Sequence, residues 1–428
     1  MANEHLVALL IFVVTYVLLA TEYREGTIAT MAGVGAIWAF GILTPAEMTS
    51  YVDMNAIGLL FGTMIIVGAL SEAHFFQWVG ISVANLCRGR PIHLLVAFTL
   101  ITGGLSAVLP NVTTILFMVT ITLEIAEMLK LNPKPYILSE ILASNIGGVA
   151  TLIGDPPNMM IATATGFSFL DFLANVGLIS FVSLFVSLAY IWTKFRGNLI
   201  IAETSSAQGT YKTLLKMPDM SGDIRLRWTG LAALVGSVIL FSLQDVVGIY
   251  PTAVALLAAT VLLFVGGPKM ADILRDVEWS TLIFFGSLFI VVGALEKTGW
   301  MNSAAQFILT FVSGNAAIGV SVALWFISFI SAFINNIPFA AAFIPVLKNL
   351  ESGSSLDVYP FWWALAAGTG LGGNGTIIGA SSNVIATGLA KAKGVKITFA
   401  EFAKTGLVIV ALTTLVANVI ILLKFWAI

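Results

Sequence analysis

Along this chain, apolar stretches long enough for a helix to cross a bilayer recur from end to end, separated by short polar turns. About 20 helical residues cross the hydrocarbon core. Runs such as LVALLIFVVTYVLLA and LVIVALTTLVANVIILL, with their extensions, are therefore read as spans. Spans are expected near 5–21, 26–43, 54–71, 136–166, 170–193, 228–243, 251–266, 277–295, 360–390 and 400–427. Two further apolar segments, 91–130 and 315–350, are interrupted by the polar breaks LPNVTT (109–114) and INNIPF (334–339). Each is read as a helix–break–helix hairpin that enters and leaves on one side. Two full spans apiece would give the same parity, so sidedness does not separate these readings.

Two of the expected spans also carry polar runs rich in helix breakers: SNIGGVATLIGDPPN at 144–158 and TGLGGNGTIIGASSN at 369–383. These runs are equivalent. At a fixed offset of 225 residues, VGAL at 67–70 meets VGAL at 292–295. Ser106-Ala107 meets Ser331-Ala332, and Asn111 meets Asn336. Gly147, Gly148, Thr151, Ile153, Gly154 and Asn158 meet Gly372, Gly373, Thr376, Ile378, Gly379 and Asn383. No gap is needed from 53 to 158. Chance likeness between apolar helices does not hold one register across three separated polar motifs.

Each half holds five spans and one hairpin. An odd number of crossings inserts the second half upside down. The expected fold is an all-α polytopic membrane protein of two inverted-topology repeats, each of five spans plus a re-entrant hairpin, with interrupted helices at the midplane. The repeats are placed at 1–196 and 227–428, joined by a cytoplasmic linker at 197–226. Inverted repeats with broken helices are the sequence signature of secondary transporters. Non-helical backbone survives at membrane depth only inside protein or beside a wet cavity. There, freed N–H and C=O groups and helix ends bind ligands.

The candidate binding residues follow from the four breaks. Ser106, Asn111 and Thr113 surround the first hairpin tip, and Ser331, Asn335 and Asn336 the second. Asn145, Gly147, Gly148, Thr151, Asp155 and Asn158 belong to the first broken helix. Gly372, Gly373, Asn374, Thr376 and Asn383 belong to the second. The glycines allow a turn and close backbone approach; Thr151, Asn158, Thr376 and Asn383 offer neutral ligands. Plainer roles compete: glycines pack membrane helices, and Ser106 and Thr113 can satisfy backbone carbonyls. Asp155 before Pro156 fits an N-cap with proline at the first helical position, which is favoured over proton carriage.

Composition adds the class and the sidedness. The chain of 428 residues is 58% hydrophobic and 10% charged, against about 25% charged in soluble domains, so most of it faces lipid or protein. The net charge of −2 points to no partner. No basic patch with interleaved aromatics supports nucleic-acid binding. Cys87 is the only cysteine, which rules out an intrachain disulfide or a cysteine metal site. The three histidines lie near span ends and are read as interfacial. No cofactor is expected, nor an enzyme, since no Ser–His, HExxH or paired-aspartate arrangement sits in the spans. No basic residue precedes the first apolar run, so a cleaved signal peptide is not expected. Of the 20 Lys and Arg, all but Lys297, Lys348 and Lys424 fall in loops on one side. The positive-inside rule makes that side cytoplasmic and places both termini outside, in the cytoplasmic (inner) membrane.

The segments PNVTTILFMVTITLEIAEMLKLNPKPYILSEILASNIGGVATLIGDPPNMMI and INNIPFAAAFIPVLKNL with LGGNGTIIGASSNVIATG resemble the ion transporter superfamily. Its members include arsenite permeases, sodium/proton antiporters and sodium-dicarboxylate symporters, and the resemblance is greatest to the arsenite permease and P protein branch. It covers nearly the whole chain, and its paired motifs are specific to the superfamily more than to a substrate. It implies hairpin tips and broken helices meeting at the site. It also implies sodium held at Ser106, Asn111 and the Gly147/Gly148 region, and at Ser331, Asn336 and Gly372/Gly373. This chain departs from the branch in one respect. Where an aspartate commonly precedes the tip asparagine, it has Pro110 and Asn335, which removes the acids a tip sodium would use.

Within the breaks Asp155 is the only acid, and no Lys or Arg lies near them. The site is thus expected to be polar and nearly neutral. It suits a small inorganic neutral hydroxide such as As(OH)3 or Sb(OH)3, exported in exchange for protons. With one cysteine, capture is by hydrogen bonds. A sodium/proton antiporter is the alternative, and a sodium-coupled dicarboxylate transporter a further one. Four breaks in an inverted repeat favour alternating access over a channel. The lipid bilayer is the one certain partner; an ATPase subunit or a homodimer is not specified by the sequence.

Overall fold

The computed structural model describes residues 2–21, 25–205, 223–312, 315–354 and 356–426, and every regular element among them is helical. The internal repeat extends further than the sequence motifs. Eight helices of the first half have partners starting 225 residues later. They begin at Gly26, Pro45, Met54, Phe75, Pro91, Asn111, Lys134 and Pro156, against Pro251, Met270, Trp279, Trp300, Ala316, Asn336, Tyr359 and Ser381. The equivalence therefore reaches back to residue 26.

Local chemistry explains these starts. Proline occupies the first turn at Pro45, Pro91, Pro156 and Pro251, where its missing N–H costs no helical bond. Thr44 and Glu47 form a reciprocal capping box, and Asp53 and Asn315 cap the helices that follow them.

Both hairpins are present. The first is Pro91–Ser106 with Asn111–Met128, and the second is Ala316–Ser331 with Asn336–Gly353. Both broken helices are present too: Lys134–Val149 with Pro156–Thr165, and Tyr359–Gly372 with Ser381–Ala392. Six described helices are long and apolar enough to cross a membrane on their own. Large apolar side chains such as Phe181, Leu257, Phe264 and Phe329 point outward from the spans, as a lipid-facing surface requires.

Several boundaries differ from the sequence reading. The span expected at 26–43 ends at Ala39, where the turn passes through Gly41 at φ +67°. The span expected at 170–193 begins with one α-helical turn, Phe169–Phe172, passes through a short π-helical stretch, Leu173–Gly177, and then runs as Leu178–Ser205. It takes in residues 197–205 of the expected linker, and the next described helix begins at Ile224. Residues 206–222 lie outside the described residues. Two elements longer than ten residues were not foreseen at all. Phe75–Leu86 and Trp300–Val312 are amphipathic arms at equivalent positions. At about 1.5 Å per residue they are too short to span, and each lies between a scaffold span and a hairpin. Gly80 in the first arm lets it lie close against Ile121 of the hairpin.

Contacts over long sequence distances pair loops that the charge pattern puts on one side. Lys134 meets Glu401 at 3.2 Å, Lys194 donates to Thr405, and the Arg227 Nε donates to the Ala73 carbonyl. On the other side, Lys424 donates to the Ala174 carbonyl, and Lys297 donates to the Ile42 carbonyl and to Glu47.

The Lys297–Glu47 contact makes a pH prediction. The hydrogen bond from Lys297, then those from the Thr44 backbone and side chain, hold the Glu47 carboxyl down at about 2, below its ordinary 4.5. A depressed carboxyl stabilises the fold above its ordinary value and loses that contribution as the pH falls through the folded one. Glu47→Gln is thus expected to lower the melting temperature slightly at neutral pH. The difference from wild type closes between about pH 4.5 and about pH 2. Thermal unfolding in detergent across that range is the check; a pH-independent difference would remove the ion pair as its cause.

Candidate functional site

Each broken helix is pinned to the hairpin of its own repeat by close backbone approach. A Cβ on Gly147 would collide with the Gly103 carbonyl, and one on Gly372 would sit 2.5 Å from the Ser328 carbonyl. None of Gly147, Gly148, Gly372 and Gly373 has positive φ. Close packing, not a left-handed turn, is what these glycines supply.

The unwound residues satisfy one another. Thr151 Oγ1 donates to the Ala107 carbonyl, and its equivalent Thr376 donates to the Ala332 carbonyl. Asn158 Nδ2 reaches the carbonyls of Gly148, Val149 and Thr151 at 2.9–3.2 Å. Asn383 Nδ2 does the same for Gly373 and Thr376 at 2.7 and 2.8 Å. Buried carbonyls freed from a helix need such donors. These four side chains, expected as solute ligands, donate their described hydrogen bonds to carbonyls of the breaks and of the adjoining hairpins.

The two repeats then meet through amides. Asn145 Nδ2 donates to Asn374 Oδ1 at 3.0 Å and to Asn383 Oδ1 at 2.8 Å, while Ser382 Oγ donates to Asn145 Oδ1 at 2.9 Å. All four residues are buried. On the hairpin side, Ser331 Oγ donates to the Thr369 carbonyl at 2.9 Å, and Ser106 Oγ lies 3.1 Å from Ser144 Oγ. The Asn111 amide satisfies its neighbours with its nitrogen turned toward Ser106 Oγ, the Ser144 carbonyl at 3.2 Å and the Gly154 carbonyl at 2.8 Å.

Both tips and both breaks border one cavity of about 710 Å³. Of the expected residues, Asn111, Asp155, Asn335 and Asn336 line it; the other thirteen stand behind it or in the clasp between repeats. Asn335 caps the helix after the second tip, accepting from the Ile337 N–H at 3.2 Å, and donates to Ser381 Oγ at 3.0 Å. Asn336 Nδ2 donates to Asp155 Oδ2 at 2.9 Å, across the repeat interface.

Two expectations are corrected here. Asp155 occupies the N-cap position in extended backbone, but its side chain makes no capping hydrogen bond. The carboxylate turns to Asn336 instead, because Pro156 and Pro157 leave few N–H groups to cap. The cavity is also not nearly neutral. Glu278 and Glu25 line it beside Asp155, with no Lys or Arg among the described lining residues. Glu278 accepts from Thr113 Oγ1 at 3.2 Å, in the first turn of the first hairpin's second helix, and from Thr281 Oγ1 at 3.0 Å. Ser144, Ser381 and Ser382 were missed as well. The serines at 381 and 382 are the repeat equivalents of Pro156 and Pro157, and that exchange of proline for hydroxyl was readable.

The family model described as a citrate transporter (CitMHS) matches residues 16–368. An uncharacterized transporter of Mycobacterium tuberculosis is 34% identical, covering 98% of both chains. The P protein of Sus scrofa is 31% identical over 94% of this chain and 57% of its own. Among solved structures, the Alcanivorax borkumensis YdaH transporter aligns with a TM-score of 0.58 at 12% identity, covering 99% of this chain and 98% of its own. The Neisseria gonorrhoeae MtrF protein, titled as one of a class of antimetabolite efflux pumps, gives 0.58 at 11%, covering 98% and 94%. At such identity the likeness is one of fold.

Proposed function

The chain belongs to this citrate transporter family and is a multi-pass membrane transporter, and from that premise we propose a proton-coupled exporter of a small neutral hydroxylated solute across the cytoplasmic membrane. As(OH)3 and Sb(OH)3 are the solutes of that description that it is proposed to carry. The two repeats, 1–196 and 227–428, rock against each other around the cavity, with both termini outside. The observation that carries the reading is the Asp155–Asn336 hydrogen bond, a lone carboxylate of one break held by the hairpin tip of the other repeat. Its repeat equivalent is Ala380, so only one of the two breaks carries a proton.

The cavity chemistry narrows the solute. Among the described residues its rim offers carboxylate, amide and hydroxyl oxygens and no cationic side chain. A solute rich in O–H donors and without negative charge is matched. A free polycarboxylate is not: each like-charge contact at 4 Å costs about 4 kcal/mol at an effective dielectric of 20. Glu25 and Glu278 favour a second reading, exchange of sodium for protons, because a hard cation takes oxygen ligands. Uptake into everted vesicles with an acid interior separates these. Arsenite accumulation that a protonophore collapses and sodium does not affect is expected. Vesicles that ignore arsenite and exchange sodium for protons would replace the first reading with the second, and uptake of free citrate would overturn both.

A further inference from the structure

The two repeats share a backbone plan but not an interior. In the first, the hairpin and the broken helix bury Thr99, Thr102, Thr114, Thr122, Ser139 and Glu140, each at most 1% exposed. Their equivalents 225 residues on are Leu324, Ile327, Phe339, Leu347, Ala364 and Leu365. Glu140 stands out among these, a carboxyl fully buried in Lys134–Val149. Its Oε1 accepts from Thr122 Oγ1 at 2.5 Å, and its Oε2 has no hydrogen-bond partner among the described residues. Thr102 and Thr114 likewise have buried hydroxyls without partners, while Thr99 and Ser139 bond each other at 2.6 Å.

The second repeat acts as an internal control. The same backbone there carries Leu365 and Leu347, both fully buried and part of one apolar core. The fold therefore does not require Glu140 and Thr122. Replacing a buried polar pair by apolar side chains is often neutral or stabilising, so a polar pair kept at such a site needs another reason. Its location supplies one. Glu140 lies six residues, about 9 Å, from the lysine-rich start of its helix. It precedes Ser144 by one turn on the same face, and Ser144 contacts Ser106 and the Asn111 carbonyl behind the cavity.

We propose that Glu140 is a second proton-binding group of the transport cycle, set in a polar column between the lysine-rich end of the bundle and the first break. It takes a proton from water at that end onto Oε2 and releases it again as a proton, with no other bond made or broken. The inference rests on the proton-coupled reading above. No ion pair or described hydrogen bond joins Glu140 to an ionisable side chain. On the packed helices these are His93, Glu124 and Glu127 at exposed positions, Tyr190, Lys194 and Arg196 near a span end, Tyr359 at a helix start, and Lys391. On its own helix, Lys134 pairs with Glu401 and the Tyr136 hydroxyl donates to the Pro91 carbonyl.

The test uses the full chain in lipid. Infrared difference spectra recorded as the pH is raised should show a protonated carboxyl band disappearing in wild type and missing from Glu140→Gln. The Gln variant keeps the acceptor for Thr122. In proteoliposomes, with arsenite as probe and a pH dye inside, Glu140→Leu and the Thr122→Leu/Glu140→Leu pair should lose solute-coupled proton movement and flatten the pH profile. Their melting temperatures should equal or exceed wild type. A carboxyl band unchanged in Glu140→Gln, or a wild-type pH profile in the Leu variant, overturns the proposal. Should the Leu variants fail to fold, the Gln variant decides by both readouts. A wild type that moves no protons overturns this proposal together with the reading beneath it. Protons that move normally through the Gln variant overturn this one alone.

Discussion

Asp155→Asn is expected to abolish pH-gradient-driven accumulation in everted vesicles while exchange of labelled for unlabelled solute persists. The expectation follows from where the carboxylate points. Asp155 is 3% exposed, lines the cavity and accepts from the Asn336 amide at 2.9 Å. Had the side chain capped the helix at Pro156, its loss would cost about 1 kcal/mol of stability and leave the pH response alone. It makes no such bond. An asparagine Oδ1 can still accept from Asn336, so the variant should melt close to wild type. What it cannot do is take up and release a proton when the interface between repeats opens. A population shift needs a ligand that interacts differently with the two states, and the proton supplies that difference only if its binding alters the Asp155–Asn336 contact. A variant that still accumulates solute against a pH gradient would move the coupling elsewhere. One that melts far below wild type would return Asp155 to a structural role.

Much of this architecture is legible in the sequence. A polar run inside an apolar one has few physical explanations, and finding it twice in one register leaves fewer. The repeated polar runs mark both hairpins, both breaks and the repeat. Side-chain direction was a different matter. Thr151, Asn158, Thr376 and Asn383 have the chemistry of ligands, yet the asparagines serve the carbonyls of their own breaks and the threonines those of the adjoining hairpins. Residue type alone does not distinguish a donor that faces the cavity from one that faces the backbone. Glu278 stands at the start of an expected span, at the position of the capping Asp53 in the other repeat. That its carboxylate turns to Thr113 instead depends on the approach of the first hairpin. The amphipathic arms are hidden for a simpler reason: at twelve and thirteen residues they fall short of a span-length apolar run. Glu140 was in plain view within the span at 136–166, and an acid inside an apolar helix is a functional candidate on that ground alone.

The two tip asparagines occupy equivalent positions, and their alanine variants should fail in different ways. Asn111, with its nitrogen toward Ser106, the Ser144 carbonyl and the Gly154 carbonyl, fastens the first tip to the first break. Asn111→Ala orphans those acceptors at a site 4% exposed. Each unsatisfied buried group costs about 1–3 kcal/mol, so the variant is expected to lose several kcal/mol of stability and with it most transport. Asn336 instead holds one described side-chain bond, to Asp155, and the second tip keeps the Asn335 contacts to Ile337 and Ser381. Asn336→Ala should therefore stay folded while its transport is strongly reduced and its pH profile displaced, because the coupling carboxylate has lost its partner. The measurements are melting temperature in detergent and the pH dependence of vesicle uptake, taken on both variants. Asn336→Asp adds a sharper arm, placing two carboxyls in contact, where like charges oppose joint ionisation. Its transport should fall most at alkaline pH. Equal melting losses in the two alanine variants would show that the tips play one structural role, and that the functional asymmetry argued from Asp155 and Ala380 does not reach them.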